Sequence, residues 1–564
     1  VGAYAVPFLL SEGSGKVVIL FSYMTIINAG ILFIAHKKYW KPLYYSSFLM
    51  TWLMYFSWYL SRYQTVEHFG LALTFLSIFF TTFYLTFLVY KLLQKEKFEF
   101  ADILLLLGNS FIFYGIGYSI LAGHKTGEQL LGLFTLCNAI VHFIVSANIY
   151  RQKLADRNLL YLILGLVLIF ITIAIPVQLD GNWVTLLWVG QAALLFWIGR
   201  TKNVPFFEKL SYPLMALAFF SIIQDWITEY GRYNPGYNPE TRESRITPLV
   251  NINFLTSLLF IASFGFINFL HRNQKYLSAF DPSKGLLRFV SFAIPAVLLI
   301  TIYYCFRLEI AAYWNQMYTD SFINMKPDEQ GRLYHYSNDD LRNFKTVWII
   351  NYSFLFLVIL SYVNFRKLRN QQLGFIILGL NTLAIMIFLT QGLYALSELR
   401  ESYLEQNLAD LYHRSGFNIG IRYISLAFVA TILASYYRDV RQEFIKRDFK
   451  ILFDFLLIIS ILWVASSELI NWMDIARSTQ SYKLGLSILW GVYSLVLISL
   501  GILKKKKHLR IAAIALFALT LIKLFFYDIS HLDTIAKTIV FVSLGILLLI
   551  ISFLYNKYKQ RITD

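Results

Sequence analysis

Charged residues are scarce in this chain. Only 15% of it is Asp, Glu, Lys or Arg, where a soluble domain carries roughly a quarter, while 57% is hydrophobic and 18% aromatic. That balance excludes water as the main solvent. Cysteine is scarcer still. Cys137 and Cys305 both lie in apolar stretches, outside any C-x-x-C or metal-ligand spacing, so both read as packing residues with no disulfide between them. Strict apolar/polar alternation over about 10 residues is absent as well, which excludes a transmembrane barrel. No Walker loop, dinucleotide glycine pattern, H-E-x-x-H or G-x-S-x-G stands in a convincing context. ATP hydrolysis within the chain is therefore not expected, nor is a cofactor or a bound metal, and no residue stands out as catalytic.

What the sequence does have is a series of apolar stretches bounded by charge. A bilayer core about 30 Å thick takes about 20 apolar residues to cross as a helix, and about seventeen such stretches run from 17–35 to 534–555. The shortest of them is 183–199. The expected fold is an all-α polytopic transmembrane bundle, one membrane domain over 1–564 built from repeated helical hairpins.

The net charge of +17 is distributed, not clustered. Basic residues fall in every second connector, such as Lys37, Lys38 and Lys41, then Arg366, Lys367 and Arg369, then Lys504 to Lys507. The connectors between them carry acids or balanced charge, as in Asp180, 227–248, 313–343 and 396–416. Positive residues resist translocation. The basic set is therefore expected in the cytoplasm, with the amino end outside, the basic carboxyl tail inside, and the three long connectors as an outer cap. A charge so arranged is a topology signal, and no nucleic-acid partner is implied. The opening VGAYAVPFLL lacks an initial Met and a basic region, so it reads as the end of an earlier helix in a longer chain.

Two regions match each other. Trp188 aligns with Trp490 and Gly199 with Gly501, both at an offset of 302 (490 − 188 and 501 − 199), and Asp225 aligns with Asp528 at 303. A parallel duplication of four helices, 129–228 with 417–528, accounts for this, and so does chance among many alignments.

Gly2-Ala3-Tyr4 with Pro7, Leu9-Leu10-Ser11 and Phe21-Ser22-Tyr23 at one end, and Lys523 to Asp528 with Leu532, Ser543-Leu544-Gly545 and Leu554-Tyr555 at the other, carry a resemblance. The chain resembles a family of large bacterial multi-pass membrane proteins of unknown function, described only as predicted membrane proteins. It departs from the usual opening in having Ala3 where a second glycine is common. The resemblance implies fold, a bacterial inner-membrane location and further helices upstream. It implies no activity.

Ionisable groups within hydrocarbon cost several kcal/mol and are candidates by default. Lys523 and Asp528, with Asp225 as the equivalent from the other repeat, suit an ion or an anionic headgroup; a snorkelling lysine and an interfacial carboxylate explain them as simply. Gln191, Gln224, Asn381 and Gln391 suit a polar passage, or plain interhelical hydrogen bonds. Arg307 and Glu309, Glu468 and Asp474, and Asp339 with Asp340 suit an acidic site near the outer face, or solvated loop charge. His142 reads as a core histidine bonded to a backbone carbonyl. The substrate-binding set is thus Gln191, Asp225, Lys523, Asp528, Arg307 and Glu309. A transporter or flippase-like protein for a lipid-linked or small polar solute is the leading expectation. An envelope transferase using a lipid carrier and a membrane scaffold are the alternatives, with membrane lipids as partners in every case.

Overall fold

The computed structural model describes residues 4, 17–37, 40–94, 100–152, 157–231, 245–276, 278, 285–324, 335–443, 445, 449–478, 481–524 and 534–557. Lipid offers no partner for backbone N–H and C=O groups, so a chain this apolar must pair them within each segment, and helices do so. The helices are α1 (Val17–Lys37), α2 (Lys41–Arg62), α3 (Thr65–Gln94), α4 (Phe100–Ala122), the single turn α5 (Lys125–Glu128), α6 (Leu131–Gln152), α7 (Arg157–Gln178), α8 (Asn182–Thr201), α9 (Pro205–Gly231), α10 (Ile252–Arg272) and α11 (Gly285–Asp320). After a two-residue pairing of β1 (Ile323–Asn324) with β2 (His335–Tyr336) come α12 (Asp340–Val363), α13 (Gln371–Ile387), α14 (Leu393–Glu405), α15 (Phe417–Val440), α16 (Lys450–Ile475), α17 (Ser481–Leu503), α18 (Lys507–Lys523) and α19 (Thr534–Lys557).

Every stretch marked as a span in the sequence holds a helix. Among the described residues thirteen helices are long and apolar enough to cross a membrane, including Asn182–Thr201, which covers the shortest stretch.

The chain divides into two compact units, residues 1–225 with 256–298, and residues 226–255 with 299–564. The first has an aromatic core in which Phe21 stacks on Tyr55 at 5.3 Å and meets Trp58 edge-on at 5.0 Å. Such pairs add about 0.5–1.5 kcal/mol each beyond their burial. His142 belongs to this core. It lies parallel to Phe170 at 5.4 Å, and its Nδ1 bonds the Tyr84 hydroxyl at 2.6 Å, in place of the backbone carbonyl expected.

In the second unit α12 packs against α13, α14 and α15, and α14 and α15 both lie against α16. A π-helical turn, Phe388–Gly392, joins α13 and α14 into one helical rod. Such a turn inserts a residue into the hydrogen-bond ladder and often marks a functional site.

Two hairpins, α8–α9 and α17–α18, are built alike residue for residue. In the first, Lys202 N–H bonds Ile198 O and Val204 N–H bonds Gly199 O, around Asn203 at φ 52°; in the second, Lys504 bonds Leu500 and Lys506 bonds Gly501, around Lys505 at φ 53°. A β-carbon on Gly199 would lie 2.6 Å from Glu208 N, and one on Gly501 would lie 2.7 Å from Arg510 Cγ. Trp188 and Trp490 both donate their indole N–H to the preceding helix, to Thr172 O at 3.0 Å and to Ser466 Oγ at 2.9 Å.

Candidate functional site

Asp340 opens α12 and is buried, although an aspartate in a helix's first turn is ordinarily solvated. Its Oδ2 accepts from Ser402 Oγ of α14 at 2.9 Å and from Asn418 Nδ2 of α15 at 3.1 Å, and it pairs with Arg414 Nε at 3.2 Å. One turn further along α15, the Arg422 guanidinium pairs through Nε with Glu468 of α16 and donates from Nη2 to Ser467 Oγ at 2.5 Å. Arg400 of α14 reaches Asp474 of α16 at 2.8 Å. Three arginine–carboxylate pairs, with the Asp340 hydrogen bonds to Ser402 and Asn418, thus tie one end of four helices together. A charge placed in an apolar bundle persists only when paired and hydrogen-bonded, which accounts for the pairing.

The pairing is incomplete on the arginine side. Among the described residues nothing accepts from Nε and Nη1 of Arg400 or from Nη1 of Arg422, and nothing pairs with either amide atom of Asn471, which is 0% exposed on α16. Deeper in, Asn351 Nδ2 of α12 donates to Ser425 Oγ of α15 at 3.1 Å.

At the opposite end of α12 and α15 stands a second polar cluster. Ser361 Oγ donates to Asp439 Oδ2 at 2.5 Å, Ser435 Oγ to Ser361 Oγ at 2.8 Å, and Arg438 Nη2 to Ser361 Oγ at 2.7 Å. Tyr436 and Thr382 share a hydroxyl contact of 3.1 Å beside it. Between the two clusters lies an apolar layer of Phe354, Ile385, Phe388, Val429 and Ile432, with the rings of Phe354 and Phe388 5.8 Å apart. Phe388 also begins the π-helical turn. Asn381, the mid-helix amide marked in the sequence, is fully buried with no partner among the described residues.

Beside the first cluster a cleft of about 550 Å³ is lined by Leu249, Phe306, Trp314, Trp348, Tyr352 and Phe417. Glu309 forms part of its wall. Its carboxylate accepts from Tyr230 OH at 2.5 Å, Leu249 N–H at 2.8 Å and Asn251 Nδ2 at 2.9 Å, three neutral donors. Phe417 faces the cleft, whereas its neighbour Asn418 reaches Asp340 in the polar cluster.

The residues marked in the sequence fall in several places. Gln191 accepts from Thr172 Oγ1 at 3.2 Å, and Asp225 accepts from Thr185 Oγ1 at 2.6 Å; both belong to the first unit. Arg307 lies over the Tyr304 ring at 5.4 Å. Lys523 donates to Ser487 Oγ at 2.9 Å, the place that the Ser221–Thr185 contact of 2.6 Å holds in the matching hairpin. Asp528 lies outside the described residues. Gln224 and Gln391 are exposed, so neither turns into its helix packing. Among the described residues Asp340 and Glu309 share no hydrogen-bonding partner, and no group of three His, Cys, Asp or Glu side chains is placed to hold a metal.

Arg400, Arg414, Arg422, Asn471 and Asp439 do not stand out as candidates in the sequence. Arg422 carried a usable signal, a cation five residues into an apolar helix. Asp439 was hidden among Arg438 and Arg441, whose charge reads as a basic connector. No curated protein and no solved structure matches the chain. The model of one family, described as Predicted membrane protein (DUF2339), matches residues 1–558. The chain belongs to that family of multi-pass membrane proteins.

Proposed function

We propose that this protein is a transporter of the flippase type, which moves a polar or lipid-linked solute along the inside of the α12–α16 bundle. The observation that carries the reading is the sequence of layers in one set of helices: a polar cluster at Asp340, Arg400 and Arg422, an apolar layer at Phe354 and Phe388, and a second polar cluster at Ser361 and Asp439. Buried polar groups are costly in a bundle that only has to hold together, at about 1–3 kcal/mol for each one left unpaired. Two such clusters separated by one thin apolar layer fit a route that is shut in its middle. The aromatic cleft beside the first cluster suits an apolar chain, and the step from Phe417 to Asn418 joins that cleft to the polar end. A lipid-linked solute has both parts.

A transferase at the acidic face has less behind it, because Asp340 is occupied by Arg414, Ser402 and Asn418. The test is a leaflet-exchange assay in vesicles containing the purified chain and a fluorescent phospholipid, bleached from outside. Bleaching beyond the outer-leaflet fraction supports the reading. Bleaching that stops where empty vesicles stop, for both a phospholipid and an isoprenoid-linked phosphate, contradicts it.

A further inference from the structure

We propose that Arg400, Arg422 and Asn471 form a binding site for an oxyanion, the phosphate of a lipid headgroup or of a soluble phosphate compound. The proposal rests on the transport reading in taking this polar cluster as a place where the solute is held. Both guanidiniums are more than nine-tenths buried, Arg400 at 8% and Arg422 at 1% exposure. Each gives one edge to a carboxylate, Asp474 or Glu468. The edges left over, Nε and Nη1 of Arg400 and Nη1 of Arg422, meet no acceptor among the described residues. Asn471 stands on α16 one turn beyond Ser467 and one turn before Asp474, between the residues those arginines hold, and its amide is likewise unmatched.

Three helices therefore contribute four idle donor nitrogens, against Asn471 Oδ1 as the one idle acceptor among these three side chains. A guanidinium only donates, which excludes a metal ion at those nitrogens, and each remaining N–H can give one charge-assisted hydrogen bond to a phosphate or carboxylate oxygen. The two cations also act on each other electrostatically. An anion between them would relieve that repulsion and satisfy the idle N–H groups together. The carboxylates are the more exposed members, Glu468 at 22% and Asp474 at 31% against 2% and 9% for their arginine side chains. They cover the arginines on the open side and can yield to an incoming anion. The idle donors are shielded in this conformation, so entry requires α14 and α16 to part at the Arg400–Asp474 link.

The experiment measures thermal unfolding of the purified full chain in lipid nanodiscs, in two arms. One titrates inorganic diphosphate in phosphatidylcholine discs, and the other varies phosphatidylglycerol content with no added phosphate. The wild-type protein is expected to gain unfolding temperature in at least one arm, the first assigning a soluble oxyanion and the second a lipid headgroup. Arg400→Gln and Asn471→Leu are each expected to weaken that response by about 10- to 100-fold in apparent affinity, the loss of one or two charge-assisted or buried hydrogen bonds. Arg272→Gln, an exposed residue of the other unit, should leave it unchanged. Asn471→Leu removes a buried amide that nothing matches, so without anion it should unfold at or above the wild-type temperature. That keeps its loss of binding distinct from loss of fold.

Equal responses in wild type, Arg400→Gln and Asn471→Leu, or none in either arm, overturn the site. Lipid exchange that persists without any anion response sinks the site and leaves the transport reading standing. Anion binding with no lipid exchange does the reverse.

Discussion

The guanidinium of Arg422 in α15 pairs with the carboxylate of Glu468 in α16, inside two helices that are each long and apolar enough to cross a membrane. Removing the carboxylate strands the buried guanidinium in an apolar bundle, at a cost of about 3–5 kcal/mol. Glu468→Ala is therefore expected to lower stability by about that much, and Arg422→Met with Glu468→Leu to recover most of it. Thermal unfolding in detergent reads both. A single variant no less stable than the double one would contradict a paired, buried arrangement.

The two like-built hairpins make a paired prediction. A β-carbon at Gly199 or Gly501 runs into the facing helix start at 2.6–2.7 Å, and forced overpacking costs about 1–3 kcal/mol. Gly199→Ala and Gly501→Ala should each destabilise by that order, whereas Gly190→Ala, with nothing within 4 Å of the added carbon, should be neutral or stabilising. The penalty should be the larger at Gly199, where the added carbon meets the backbone of Glu208, and the smaller at Gly501, where the nearest atom is the side-chain Cγ of Arg510. A larger loss at Gly501 would contradict that packing.

Glu309 is held by three neutral donors and by no cation among the described salt bridges. Glu309→Gln turns one acceptor oxygen into a donor that must face a hydroxyl, a backbone N–H or an amide N–H. Leaving such a pair unmatched costs about 1–3 kcal/mol. The expected result is a lower unfolding temperature with helix content retained by circular dichroism, and an unchanged temperature would show that the carboxylate does not need those donors.

Phe388 belongs to the apolar layer and also begins the π-helical turn. Phe388→Ala is expected to raise lipid or solute flux in the vesicle assay while costing about 3–5 kcal/mol of stability. Unchanged flux from a folded variant would place the barrier elsewhere.

The fold was legible because the bilayer imposes a length on every crossing segment. The stretch at 183–199 was the least secure on length alone, yet Trp188 and Gly199 in it are the residues that recur in the matching hairpin. The interior was far less legible. Asp339 and Asp340 look equivalent in sequence, but only Asp340 meets Ser402, Arg414 and Asn418, residues sixty to eighty positions away that folding alone brings near. Glu468 and Asp474 read as an acidic pair until Arg422 and Arg400 take one each. Periodicity tells which face of a helix turns inward, and it does not tell which inward polar residue finds which partner.

On the transport reading the two polar clusters of the α12–α16 bundle are opposite halves of one passage, shut at Phe354 and Phe388. The most direct measurement labels Asn351→Cys and Ser361→Cys, in a chain lacking Cys137 and Cys305, with a charged membrane-impermeant maleimide applied to one face at a time. The account predicts that Asn351→Cys reacts only from the Asp340 face and Ser361→Cys only from the Arg438 face, and that adding Phe388→Ala lets each react from both. Labelling of the two positions from the same face, or of neither from any face even with Phe388→Ala, would contradict it.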